Sequence, residues 1–177
     1  MSRYITLLLF IGLAWGQNEY NIKHIVDQDS VYKKKFSDEI VNGNIYQMTD
    51  DMKVPLGKMK NGKKDGLWTE WYPNKRKLEE TYRHGMLDGS VSLYYKTGQK
   101  EWRHTYNNGQ FEGLWTYWYE NGQKMREGNF MCGDSTGKWI WWDKNGRVEK
   151  EKKYKNRKNA IWANYNEYVL IETVTEP

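Results

Sequence analysis

The chain has 177 residues, 38% of them apolar, with 28 basic and 23 acidic side chains and a net charge of +5. A mean hydropathy of −1.01 would suit a disordered chain, but 10 Trp and 14 Tyr argue against one, because each ring buries a large area while its polar tip reaches water. Acidic and basic residues interleave, which argues against the concentrated basic stripe of a nucleic-acid groove, and the single Cys132 excludes an internal disulfide.

Residues 1–16 read as a secretory signal peptide. Arg3 supplies the positive start, Ile5 to Ala14 is the apolar run, and Ala14-Trp15-Gly16 places small residues for a cut before Gln17. The run falls short of the roughly 20 apolar residues of a membrane span. A buried N-terminal strand or helix is the alternative reading. The expectation is an exported protein, periplasmic or extracellular. It is not a lipoprotein, since no cysteine follows the run. Residues 17–42 form a candidate N-terminal cap, in which Ile22, Ile25, Val26, Val31, Tyr32 and Phe36 are available for packing. The best helical candidate in the chain lies near Gln17 to His24.

From residue 43 onward the chain repeats. Glycines recur at Gly43, Gly66, Gly89, Gly113 and Gly137, with gaps of 23, 23, 24 and 24 residues. Aromatic clusters follow: Trp68 to Tyr72, Tyr94-Tyr95, Trp115 to Tyr119, and Trp139 to Trp142. Such a period marks one supersecondary unit stacked several times. Two further glycine sets punctuate each unit. Gly98, Gly122 and Gly146 form one, with Lys75 in the corresponding place of the unit at Gly66; Gly62, Gly85, Gly109 and Gly133 form the other. Asn-Gly between alternating runs signals a hairpin, because both residues tolerate positive φ.

Each of the five units across 43–159 therefore reads as a β-hairpin. In the unit at Gly113 the strands are expected over about Leu114 to Glu120 and Gln123 to Phe130. Lys75 predicts a longer or less tight turn, and Cys132 reads as a turn substitution. Period-two alternation puts Trp115, Tyr117 and Tyr119 on one face and Thr116 and Trp118 on the other, so rings occupy both faces. Met59, Tyr82, Tyr106, Phe130 and Tyr154 recur three residues before a turn glycine or in the matching place, and form a ladder of rungs. Residues 160–177 read as a degenerate sixth repeat, Ala160 to Tyr165, followed by a capping strand from Tyr168 to Val174. The fold class is all-β: an elongated antiparallel sheet of stacked hairpins with low helix content.

The pattern Gly-x-Trp-x-x-(Trp/Tyr)-Tyr-x-Asn-Gly, carried by Gly113 to Lys124, resembles the variant MORN repeat, and residues 60–68 resemble that family's inter-repeat junction. The resemblance covers 43–159, about two thirds of the chain. Bacterial proteins of this kind are often grouped as YwqK-type antitoxins. The resemblance implies an elongated hairpin sheet and an interaction role. The antitoxin grouping implies neutralisation of a partner protein.

No pattern of catalytic chemistry is found. His24, His84 and His104 occupy non-equivalent repeat positions and read as surface or turn histidines. Glu80, Glu127 and Glu151 recur at one offset and read as a structural ladder or surface pattern. No catalytic, cofactor-binding or metal-binding residue is expected, and no cofactor. The candidate partner-binding face is Trp71, Tyr94, Trp118 and Trp142. A protein partner fits best; an envelope glycan, stacked on exposed rings, and an anionic lipid surface are the alternatives.

Overall fold

The structure, a computed structural model, describes residues 18–155. The leader at 1–16, and the sixth repeat and capping strand expected at 160–177, lie outside them. In chain order the described residues form β1 (Glu19–Asn21), a 3-10 turn (Ile22–His24), β2 (Ile25–Gln28), β3 (Val31–Lys34), β4 (Gly43–Thr49), β5 (Met52–Lys60), β6 (Lys63–Trp71) and β7 (Lys77–Arg83). There follow β8 (Met86–Tyr94), β9 (Lys100–Asn107), β10 (Gln110–Phe111), β11 (Gly113–Trp118), β12 (Lys124–Met131), β13 (Asp134–Trp142) and β14 (Val148–Tyr154).

The described residues are all-β apart from the one 3-10 turn, as the repeat pattern predicts. One long sheet runs in the order β1-β4-β5-β6-β7-β8-β9-β11-β12-β13-β14, with β10 paired to β9. Consecutive strands from β4 onward pair antiparallel. The edge pair β1–β4 is parallel, so the sheet is mixed rather than wholly antiparallel. The reason is the connection: the 3-10 turn and the β2–β3 hairpin lie between the two strands and return the chain in the same direction. The helix expected near Gln17 to His24 shrinks to that single turn, closed by the Asn21 side chain accepting from the Lys23 amide at 3.0 Å. So short a segment cannot repay the cost of nucleating an α-helix.

Residues 18–42 pack over the first strands of the sheet. Ile25, Val41, Ile45, Met59 and Trp68 form a buried cluster, joined by Tyr20, Ile22 and Tyr32. Backbone hydrogen bonds run from the Tyr32 amide to the Gly62 carbonyl (2.7 Å) and from the Gly62 amide to the Val41 carbonyl (2.9 Å). Phe36 does not join this packing. It is fully exposed, at a φ of 61°.

From β5 onward the turns fall into two classes, while the β4–β5 turn at Asp50-Asp51 has positive φ only at Asp50. Asn61-Gly62, His84-Gly85, Asn108-Gly109 and Cys132-Gly133 have positive φ at both residues and close two-residue hairpins. In the other class only the last residue is left-handed: Lys75, Gly98, Gly122 and Gly146. These are three-residue loops. In each, the residue before the loop donates to the residue after it and accepts from the loop's last residue, as in Tyr119 N to Gln123 O (2.9 Å) and Gly122 N to Tyr119 O (2.9 Å). The strands of that unit therefore stop at Trp118 and restart at Lys124, short of the expected Glu120 and Gln123.

Lys75 corrects the expectation of a looser turn. Its loop has the same length and closure, Tyr72 N to Arg76 O at 3.0 Å and Lys75 N to Tyr72 O at 2.9 Å, with Lys75 forced to a φ of 65°. A non-glycine residue in that region costs about 1–2 kcal/mol, partly offset by the extra freedom glycine has when unfolded. Lys75→Gly should raise the unfolding free energy by roughly 0.5–1 kcal/mol. A urea titration showing no gain would refute this account of the turn.

The repeat glycines have a separate role. Gly43, Gly66, Gly89, Gly113 and Gly137 lie in strands, each opposite a rung of the ladder: Met59, Tyr82, Tyr106, Phe130 and Tyr154. The extra residue of the 24-residue units is a β-bulge. Trp118 pairs with Lys124 and Tyr117 with Arg126, which leaves Met125 over, whereas Trp71, Glu70 and Thr69 pair with Lys77, Leu78 and Glu79 without a gap.

Candidate functional site

The register brings the four candidate rings into one row. Trp71, Tyr94, Trp118 and Trp142 each end the first strand of a hairpin. Opposite them stand Lys77, Lys100, Lys124 and Val148. Lys77 also pairs with Tyr94 across β7–β8, so rings and lysines alternate along the sheet. The Lys77 ammonium lies 4.2 Å from the Tyr94 ring centre and 5.8 Å from that of Trp71, and Lys124 lies 5.8 Å from Trp142. Contacts of this kind contribute about 0.5–1 kcal/mol at exposed sites. Trp71 is 56% exposed and the other three rings are half-buried. We call this the front face.

Its charges are largely neutralised from within. Lys77 pairs with Glu79 at 2.7 Å, Lys124 with Glu127 at 2.7 Å, and Lys138 with Glu151 at 2.7 Å. Burial alone would raise the Glu79 carboxyl; hydrogen bonds from Lys77 and Tyr94 outweigh it and hold the group below its ordinary value. Burial and the 2.6 Å bond to Glu79 push the Tyr94 hydroxyl up to about 12. The carboxylate ladder predicted from Glu80, Glu127 and Glu151 needs one correction. Glu79 is the counterpart of Glu127, because the unit at Gly66 lacks the bulge; Glu80 faces the opposite side, where it pairs with Trp68. Counting residues from the glycine misses this, since a bulge reverses the faces beyond it.

Next to the row a second device joins adjacent units. The Tyr95 hydroxyl donates to the Trp118 carbonyl at 2.8 Å, and the Tyr119 hydroxyl to the Trp142 carbonyl at 2.9 Å. The sequence signal for it is the tyrosine that follows each of these positions.

The back face carries the buried rings. Trp68 and Trp139 lie flat over Gly57 and Gly128, where an added Cβ would stand 2.5 Å and 2.0 Å from the nearest ring atom. Their indole N–H groups donate to the carbonyls of Lys58 (3.0 Å) and Asn129 (3.3 Å), one residue beyond each glycine. Trp115 meets His104 instead. The imidazole stacks between Trp102, at 4.2 Å between ring centres, and Trp115, at 3.6 Å. Both Trp115 Nε1 and His104 Nε2 are buried without a hydrogen-bond partner. Burial, and then the charge of Arg126, lowers the His104 pKa to about 4. His104 is thus a neutral member of a ring stack, not the surface or turn histidine read from its position. His84 does occupy a turn.

Among the described residues no group of three His, Cys, Asp or Glu side chains is placed to hold a metal ion. No helix there is long and apolar enough to cross a membrane.

The family model of the variant MORN repeat matches residues 111–131 and 135–156. These spans coincide with the hairpins β11–β12 and β13–β14; the hairpins β6–β7 and β8–β9 share the same turns and rungs without matching. No curated protein matches the chain. MORN repeats are generally modules for protein or membrane interaction, and generally not enzymes.

Proposed function

We propose that this protein is an exported, non-enzymatic module that binds another protein through the front face. The observation that carries the reading is the row of rings: Trp71, Tyr94, Trp118 and Trp142 stand at one register position in successive hairpins, with Trp71 the most exposed. Aromatic anchors in a polar surround are the usual energetic centre of protein interfaces. The interaction role general to MORN repeats supports the reading. The apolar run from Ile5 to Ala14 supports export, with the mature chain starting at Gln17. The pairing of Lys77 and Lys124 with Glu79 and Glu127 weighs against an anionic lipid surface as the main target, and nothing in the row selects a glycan. Antitoxin-like neutralisation of a partner would be one form of such protein binding.

The test is capture of envelope proteins on the tagged chain, comparing the native protein with Trp71→Ala, Tyr94→Ala and Trp118→Ala combined. Loss of about 2 kcal/mol per central ring predicts that partner recovery falls at least about tenfold. Unchanged recovery, in a variant whose circular dichroism shows the native sheet, refutes the front face as the contact. Mass spectrometry of the recovered tagged chain should find Gln17 at its start.

A further inference from the structure

The row of buried tryptophans on the back face is interrupted once. Of the five places two residues after a repeat glycine, Trp68, Trp115 and Trp139 hold three, Ile45 holds the first, after Gly43, and Val91 holds the one after Gly89. Each of the three indoles leans over the strand that precedes it, onto Gly57, His104 or Gly128. An indole at position 91 would lean over Glu80, the register partner of Val91. Valine, 4% exposed, is smaller than an indole, and beside it the sheet has a cleft of about 320 Å³ lined by Val91 and Glu80 among others. That is the low end of the size range of ligand sites, about 300–1,000 Å³. Its walls are Leu78, Leu87, Leu93, Trp102 and Tyr106.

Two features say what the cleft takes. The first is its equivalence to three filled places, in two of which the indole N–H donates to the carbonyl one residue beyond the floor residue, at Lys58 or Asn129. Both of those floors are glycines, whereas Glu80 carries a side chain, as His104 does beneath Trp115, whose indole N–H has no partner. The second is Arg76 on the cleft wall. Its guanidinium is held by Glu101, yet its Nε is buried without a hydrogen-bond partner. A buried donor left unpaired carries a desolvation cost that an incoming acceptor would relieve. The Glu80 carboxylate is drawn aside by the Tyr82 hydroxyl at 3.0 Å and by Lys64 at 4.0 Å.

We propose that this cleft binds a tryptophan side chain of a partner protein, with the ring lying beside Val91 and a backbone carbonyl of the partner accepting from Arg76. The inference rests on the reading of the chain as a protein-binding module and adds a second contact, on the opposite face from Trp71.

The probe is N-acetyl-tryptophan amide, which carries the indole and two carbonyl acceptors. It is titrated into the full chain while the methyl signals of Leu78, Leu87, Val91 and Leu93 are followed by NMR. Saturable shifts with a millimolar dissociation constant are expected, and about tenfold weaker binding for Arg76→Gln, the worth of one charged hydrogen bond. Val91→Trp fills the cleft and abolishes the titration. Val91→Leu, which adds bulk without a ring, should weaken binding at least threefold, and serves if the larger variant does not fold. No saturable shift in the native protein, equal response to N-acetyl-leucine amide, or shifts that persist in a folded Val91→Trp variant overturn the proposal. None of these outcomes bears on the front-face substitutions, so the cleft and the front face fail separately.

Discussion

Gly128→Ala lowers the unfolding free energy by about 2–4 kcal/mol, although it adds a single methyl group. Gly128 lies inside a strand with no left-handed φ, so the backbone accepts alanine without strain. All of the cost is steric. The new Cβ would stand 2.0 Å from Cδ2 of Trp139, and 2.2 and 2.4 Å from two neighbouring ring atoms. The obstacle is a ring fused to a fixed backbone position, so the indole must lift as a unit. Lifting exposes a ring now 6% exposed, breaks its 3.3 Å bond to the Asn129 carbonyl and parts it from Phe130, against whose ring it packs edge-on at 5.3 Å. The ceiling is the cost of losing the ring altogether, about 3–5 kcal/mol for a buried tryptophan. Gly133→Ala is the control. Its φ is 88° and nothing lies within 4 Å of an added Cβ, so its cost is the backbone term alone, about 1–2 kcal/mol. Urea denaturation of both variants decides the matter: a Gly128 variant no less stable than the Gly133 variant refutes the account. A double-mutant cycle sharpens it. In a Trp139→Ala background the Gly128 substitution should cost almost nothing, because the clash has no second partner.

That pairing of tryptophan with glycine also marks the limit of what sequence reading can reach. The hairpins were legible because their signals are local. Asn-Gly and its substitutes at Asn61, His84, Asn108 and Cys132 need only their own φ angles to turn the chain. The rungs at Met59, Tyr82, Tyr106, Phe130 and Tyr154 were legible for the same reason, a fixed distance from the turn. The front row was legible because each of its rings precedes a three-residue loop. What stayed hidden depends on which residues of different strands come to lie opposite. One bulge residue, Met125, separates the pairing of the unit at Gly113 from that of the unit at Gly66, and so moves the carboxylate counterpart from Glu80 to Glu79. Asn-Gly serves both turn classes, so the dipeptide alone does not tell a two-residue loop at Asn61 from a three-residue loop at Asn121. Gly57 and Gly128 did carry a readable sign. A glycine inside a strand, away from any turn, usually marks a close approach by another group. His104 carried none: its place in the stack follows from the positions of Trp102 and Trp115, one on its own strand and one on the next.

His104 should make the protein lose about 2 kcal/mol of stability between pH 7 and pH 5. The imidazole is 8% exposed and packed on both sides by indoles, and the group with charge that bears on it is the cation of Arg126, stacked 3.8 Å from the Tyr117 ring centre. Tyr117 itself is tilted against His104 at 5.1 Å. Val91 faces it from the preceding strand, with Glu80 beyond. In this setting the folded state binds a proton only near pH 4, against about 6.5 when unfolded. Between those values the unfolded chain binds more protons, so stability falls as the pH falls. The contribution is whole above pH 6.5, shrinks through the window and is gone below pH 4. The total is about 3 kcal/mol, at ~1.4 kcal/mol for each tenfold change in proton affinity, and about 2 kcal/mol of it is lost by pH 5. Glu79 and Asp143, whose folded affinities are also lowered, start from 4.5 and 3.8 and add their losses mainly below the window. His104→Phe keeps a ring in the stack and removes the titration. Urea midpoints at pH 7, 6 and 5 should therefore fall for the native protein and stay nearly level for the variant. Parallel curves for the two would mean that the imidazole is not held neutral between the indoles, and the stack as described would be wrong.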